Sequence, residues 1–141
     1  MISIALATYN GSKFLREQLD SILAQSMENF EVVACDDCST DETRQILEEY
    51  ASKDSRFKVF LNKNNLGFKK NFEHILSLCK GDFIAFCDQD DIWESNHLEI
   101  LYKNIGNNDC IGANSLIIDE NGIPQNKTLL EYWPIHEMPK N

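Results

Sequence analysis

The chain has 141 residues, 43% hydrophobic and 26% charged, the composition of one ordinary globular domain and not of a disordered or fibrous chain. Thirteen basic against 23 acidic residues leave a formal net charge of -10, which repels a polyanionic backbone and argues against nucleic acid as a partner. No stretch reaches the roughly 18 apolar residues that a transmembrane helix needs, and the opening MISIALATYN carries no basic segment ahead of its apolar run, so a cytoplasmic chain without a spanning segment is expected.

Ile2 to Ala7 is an apolar run that predicts a strand, Thr8-Tyr9-Asn10-Gly11-Ser12 a loop, and Leu15, Leu19, Ile22 and Leu23 a helix by their spacing. Phe30 to Cys35 predicts a second strand that ends in Asp36-Asp37. Ser39-Thr40-Asp41-Glu42 then matches a capping box opening a helix whose inner face is Ile46, Leu47 and Tyr50. Phe57 to Leu61 reads as a third strand, Asn62 to Gly67 as a loop, and Phe72, Ile75, Leu76 and Cys79 as one face of a third helix closed by Lys80-Gly81. Phe83 to Cys87 is apolar at every position, the pattern of a central parallel strand covered on both faces, and it runs into Asp88-Gln89-Asp90-Asp91. A helix from about Asn96 to Ile105 and a strand pair around Asp119-Glu120-Asn121-Gly122 follow. From Pro124 onward, three prolines in 18 residues without periodicity predict an extended tail or a segment cut from something larger.

Strand and helix alternate three times with short connections, so the expected class is α/β: a Rossmann-like, mostly parallel central sheet flanked by helices, within a single domain over residues 1–123. Ligands of such sheets sit at the carboxyl ends of the strands. Three polar clusters fall at those ends: Thr8-Tyr9-Asn10, Asp36-Asp37 and Asp88-Gln89-Asp90-Asp91. Carboxylates converging on one rim repel one another, and Mg²⁺ or Mn²⁺ is the simplest remedy, because both are hard ions that take carboxylate and diphosphate oxygens together.

Each cluster has a plainer reading. Asp36-Asp37-Cys38-Ser39 also fits turn and helix-cap chemistry, and Asp88 to Asp91 a solvated acidic loop, although an apolar strand before it and Ile92-Trp93 after it pin the second beside the core. The five cysteines, Cys35, Cys38, Cys79, Cys87 and Cys110, are odd in number and read as reduced thiols. The Cys35-x-x-Cys38 pair precedes the helix cap instead of opening a helix, and no second such pair completes a zinc site. His74 and His97 read as surface or helix-flank residues, and Trp93 as a packing anchor.

Taken in order, the segments IALATYNGSKFLREQLDSILAQS, FEVVACDDCSTDET, NNLGFKKNF and KGDFIAFCDQDDIW resemble the inverting family 2 glycosyltransferases of the GT-A fold, and in particular rhamnosyltransferase-like members that build bacterial surface polysaccharides. The resemblance runs from Ile2 to about Ile105. It implies that Thr8, Tyr9 and Asp37 line a nucleobase pocket, Asp37 accepting from the imide N–H of uracil or thymine, with Asn10 and Asp36 in the same nucleotide-binding set. It further implies that Gly67 and Lys70 lie near base and diphosphate, Asp88 near the ribose and the metal, and that Asp90 coordinates a Mn²⁺ or Mg²⁺ bridging the phosphates. The implied partners are a UDP- or dTDP-sugar donor and a saccharide or lipid-linked saccharide acceptor, met in the cytoplasm or peripherally at the inner face of the membrane.

Inverting members carry a later acidic residue as general base. The 141-residue chain ends 51 residues after Asp90, and Asp119, Glu120, Glu131 and Glu137 do not match that base, so a truncated chain or fragment gene that binds donor but transfers sugar poorly is expected. A dinucleotide-binding domain would need G-x-G-x-x-G where only Gly11 stands. The serious rival is a catalytically silent module that holds a nucleotide sugar or a partner protein.

Overall fold

The computed structural model describes residues 1–132. In chain order these form β1 (Ile2–Thr8), α1 (Leu15–Leu23), β2 (Phe30–Asp36), α2 (Thr43–Lys53), β3 (Phe57–Leu61), α3 (Phe68–Leu78), β4 (Phe83–Cys87), α4 (His97–Asn104), β5 (Leu116–Ile118), β6 (Pro124–Thr128) and a helical turn α5 (Leu129–Tyr132). The chain divides into two compact units, Met1–Ile100 and Leu101–Asn141.

The first unit is an α/β layer structure around a four-stranded sheet of order β3-β2-β1-β4, every pair parallel. Alternation along β1 explains the layers. Ile2, Ile4 and Leu6 point to one face, where they meet Leu15, Leu19 and Ile22 of α1 and Ile46, Leu47 and Tyr50 of α2. Ala5, with Val33 and Cys35 of β2, points to the other face and meets Phe72 and Ile75 of α3. Small residues on that second face let α3 and its exit come close. Lys80 and Gly81 donate backbone N–H groups to Ser3 Oγ at 3.1 and 2.7 Å, and a Cβ on Gly81 would lie 2.5 Å from the Ser3 nitrogen. Gly81 is therefore needed for close approach. It does not cap the helix, which already ends at Leu78.

Two further expectations are corrected in this unit. Among the described residues Phe83–Cys87 lies at the edge of the sheet and not at its centre: β1 occupies the centre, pairing with both β2 and β4, and Phe83, Ile84 and Phe86 are 37%, 41% and 62% exposed. An all-apolar run reports what its faces can meet, not how many hydrogen-bonded neighbours it has. Only the side of β4 carrying Ala85 and Cys87 is packed into the larger core, while Phe86 lies 5.5 Å from Phe72, ring centre to ring centre. The capping box is also not formed. The α2 helix begins at Thr43 with Glu42 at its cap position and no side-chain capping bond there, and the Thr43 N–H is accepted by Asp41 at 3.0 Å. Ser39 is drawn instead to the loop after β1.

In the second unit β5 and β6 form an antiparallel hairpin, so residues 124–128 are strand and not an extended tail. Asp119 builds its turn: the carboxylate accepts from the N–H groups of Asn121 and Ile123 at 2.9 and 3.0 Å, and Gly122 takes φ +76°. Glu131 caps the following turn through Thr128 N–H at 2.7 Å. Both acids are thus engaged in local structure. Glu137 and the rest of the chain beyond Tyr132 lie outside the described residues. No helix among the described residues is long and apolar enough to cross a membrane.

Candidate nucleotide and cation site

The strand order reverses at β1, whose two neighbours β2 and β4 are reached by helices on opposite faces, and this opens a crevice past the carboxyl ends of the strands. The crevice has a volume of about 460 Å³. Ala7, Thr8 and Tyr9 line it from β1, Asp37 from β2, Asn65, Gly67, Phe68 and Asn71 from the start of α3, and Asp88, Gln89 and Asp90 from β4. Six of the residues singled out from sequence, Thr8, Tyr9, Asp37, Gly67, Asp88 and Asp90, therefore share one cleft.

Asn10, Asp36 and Lys70 are not among its lining residues. Asp36 is 3% exposed and fastens loops: it accepts from Thr8 Oγ1 at 3.1 Å and from the Ser39 N–H at 3.0 Å. Asn10, at φ +48°, accepts the Thr40 N–H at 2.8 Å, while its own N–H donates to Ser39 Oγ at 2.9 Å. The β1 and β2 loops are stitched together in this way, and Asp41 adds a bond from the Ser12 N–H at 3.0 Å. Burial alone would raise the Asp41 carboxyl, but bonds from Thr43 and Ser12 outweigh it and hold the group at about 2. Lys70 stands exposed on the first turn of α3.

Asp37 has a different task from its neighbour. One carboxylate oxygen accepts from Leu66 N–H and Asn62 Nδ2, the other from Gly67 N–H, each at 2.8 Å. Asn62 Nδ2 also donates to Asn71 Oδ1 at 2.8 Å, and Asn65 Nδ2 to the Asp37 carbonyl at 3.0 Å. The loop between β3 and α3, which supplies much of one cleft wall, hangs on this carboxylate. Gly67 at φ +78° makes the turn into the helix.

Asp88, Asp90 and Asp91 present the opposite electrostatic situation. Among the described residues no donor is hydrogen-bonded to their side chains. Partial burial, and then the charge of Asp90, pushes the Asp88 carboxyl up; burial, followed by Asp88 and Asp90, does the same to Asp91. Such a set lacks a positive partner. Among the described residues no three His, Cys, Asp or Glu side chains are gathered to hold a cation unaided. That fits an ion that takes one or two carboxylates from protein and its remaining oxygens from diphosphate and water, the habit of Mg²⁺ and its hard relatives.

The elevated carboxyls set a pH dependence. A raised pKa means that ionising Asp88 and Asp91 costs the folded apo chain stability, a cost absent at low pH and incurred as pH rises through those values. A divalent ion held at this loop would favour the ionised form and relieve that cost. Mn²⁺ is therefore expected to raise the melting temperature at neutral pH by an increment that shrinks as the pH is lowered into the carboxylate range. Scanning fluorimetry with and without Mn²⁺ measures this, and an increment that does not change with pH would contradict it.

The remaining titratable groups have structural roles. All five cysteines are free; burial, with Cys79 and Asp37 nearby, pushes the Cys35 thiol up to about 12, far from reactivity. Cys38 donates its thiol to the Asn62 carbonyl at 3.2 Å. His74 pairs with Asn62 at 3.0 Å, and His97 lies against Trp93 with ring centres 4.7 Å apart, its pKa lowered by burial. Trp93 is 8% exposed and anchors the core.

Comparison with known proteins identifies the family and the fold. The family model described as "Glycosyl transferase family 2" matches residues 3–140, and the chain belongs to that family. EpsE of Bacillus subtilis is 36% identical over 126 residues, covering 86% of this chain and 45% of that protein. WfgD of Escherichia coli, named as a UDP-Glc:alpha-D-GlcNAc-diphosphoundecaprenol beta-1,3-glucosyltransferase, is 36% identical over 126 residues, covering 83% of this chain and 49% of its own length. Among solved structures, Staphylococcus aureus TarS 1-349 in complex with UDP-GlcNAc is 36% identical with a TM-score of 0.69, over 74% of this chain and 30% of that one. The chain spans under half the length of these relatives. Together they establish the GT-A form of the α/β fold.

Proposed function

We propose that the Met1–Ile100 unit is the donor site of a metal-dependent, inverting glycosyltransferase. It takes a UDP- or dTDP-sugar and serves a saccharide or lipid-linked saccharide acceptor in surface-polysaccharide synthesis, in the cytoplasm or at the inner face of the membrane. The observation that carries this reading is one cleft with two unlike sides. On the β4 side Asp88 and Asp90 stand as carboxylates to which no donor among the described residues is hydrogen-bonded; on the β2 side lies the loop held by Asp37, and Tyr9 follows the central β1 between them. UDP is the nucleotide named in the complexes of TarS, at 36% identity.

Asp88 and Asp90 would hold the cation, which when bound supplies charge neutralisation for the departing nucleoside diphosphate. Tyr9, 50% exposed at the cleft, offers a ring face to a base. A carboxylate has about four acceptor positions. Three at Asp37 are taken by the loop, which leaves one for the imide N–H of uracil or thymine. Cytosine and adenine offer no such donor.

Calorimetric titration of the chain with UDP, dTDP, CDP and ADP in the presence of Mn²⁺ tests the reading. UDP and dTDP are expected to bind at least several-fold more tightly, since an unpaired buried acceptor costs about 1–3 kcal/mol. Equal affinities would remove the base pocket from this cleft.

A further inference from the structure

Gln89 lies between the two carboxylates of the proposed cation site, and its side chain turns away from them. Its Oε1 accepts the Tyr9 N–H at 2.9 Å and its Nε2 donates to the Tyr9 carbonyl at 3.1 Å. A side-chain amide thus satisfies both main-chain groups of one residue, as a neighbouring strand would. It does so where β4 no longer reaches: the β1–β4 pairing ends at Leu6 and Cys87, and among the described residues β1 continues to Thr8 paired with β2. The space for the carboxamide is made by Gly11, where an added Cβ would run into the Gln89 amide.

We propose that Gln89 is a positioning residue that couples two parts of the cleft, so that cation binding at Asp88 and Asp90 and nucleotide binding at Tyr9 strengthen each other. The inference rests on the cleft being the nucleotide and cation site. Asp88 and Asp90 flank Gln89 in sequence, and Tyr9 shares the cleft with them. Ordering the acidic loop around a cation fixes the Gln89 backbone, and the doubly bonded amide carries that order to Tyr9. Ordering Tyr9 around a nucleotide acts in reverse, as linkage requires. The route is local, comprising one side chain and one peptide unit.

The test is the UDP affinity of the full chain with Mn²⁺ and with EDTA, the ratio being the coupling factor, for wild type, Gln89→Ala, Gly11→Ala and the double variant. Gly11→Ala leaves Gln89 intact but displaces its amide, and its backbone is outside the left-handed region, so alanine is tolerated there. Both single variants are expected to lower the coupling factor threefold or more, and the double variant no further, because each breaks the same contact. Melting temperatures within a few °C of wild type are expected, because Gln89→Ala removes a loop contact and the Cβ added at the buried Gly11 meets only the flexible end of Gln89.

A coupling factor within twofold of wild type in Gln89→Ala overturns the proposal and leaves the donor-site reading standing. UDP binding in the wild type that Mn²⁺ does not strengthen overturns the proposal and, with it, the metal dependence of the donor site, while leaving nucleotide binding in the cleft. A large fall in melting temperature in both variants, with UDP affinity lost equally with and without Mn²⁺, marks a fold-holding contact and overturns the positioning role. Absence of any UDP binding by the wild type overturns both readings together.

Discussion

Replacing Asp90 by asparagine is expected to weaken Mn²⁺-dependent UDP binding about tenfold or more, equivalent to roughly 1.4 kcal/mol, and to make the residual affinity insensitive to EDTA. The substitution keeps the size of the side chain and removes one full negative charge from a set of oxygen ligands. Its effect on the apo fold should be small, because no donor among the described residues is hydrogen-bonded to the Asp90 carboxylate and none is orphaned by the change. Ionisation of Asp88 and Asp91 should even become easier, since the charge of Asp90 contributes to holding both carboxyls up. Loss of metal dependence without loss of stability is the signature to look for, by calorimetry beside a thermal melt. Wild-type affinity in both Mn²⁺ and EDTA would place the cation elsewhere.

Asp37→Ala is expected to fail differently. It withdraws the acceptor of Leu66 N–H, Gly67 N–H and Asn62 Nδ2 at once, leaving three donors around a side chain that is 3% exposed. Unsatisfied buried donors cost about 1–3 kcal/mol each, less whatever water recovers, so a stability loss on the order of 3 kcal/mol is expected, read as a lower urea midpoint. The same change releases the wall bearing Asn65, Gly67 and Phe68. UDP affinity should fall tenfold or more even in saturating Mn²⁺, and the preference for uracil over cytosine should shrink. A variant with an unchanged urea midpoint and unchanged preference would show that the loop is held by other contacts.

The contrast between adjacent Asp36 and Asp37 shows what could be read from sequence. Apolar runs and helical spacing placed four parallel strands and their helices, because burial on two faces leaves a pattern that any window detects. Parallel connection then forced the ends of β1, β2 and β4 to one rim, which brought Thr8, Tyr9, Asp37, Asp88 and Asp90 together without any knowledge of contacts. Within the rim the pattern gives no further help. Asp36 turned to Thr8 and Ser39 and Asp37 to the loop before α3, although both are equally buried, and no sequence pattern separates the two. Gln89 meets Tyr9 across 80 positions of sequence, and no periodicity reports a side chain that imitates a strand. Asn62, Asn65 and Asn71 stood in a segment whose composition suggested only a loop and a helix start; their bonds to Asp37 and to one another depend on tertiary placement. The edge position of β4 was hidden for a related reason, since hydrophobicity records faces and not neighbours.

In the proposed donor site, Asp88 and Asp90 would hold a cation that also meets the diphosphate of a bound nucleotide. Crystals grown with UDP and Mn²⁺, with diffraction recorded at a wavelength where manganese scatters anomalously, address it directly. A single strong anomalous peak is expected about 2.0–2.6 Å from an Asp90 oxygen and within the same range of oxygens from both phosphates, with the uracil ring beside Tyr9. Ordered UDP without a peak at Asp90, or a peak at carboxylates away from β4, would contradict it.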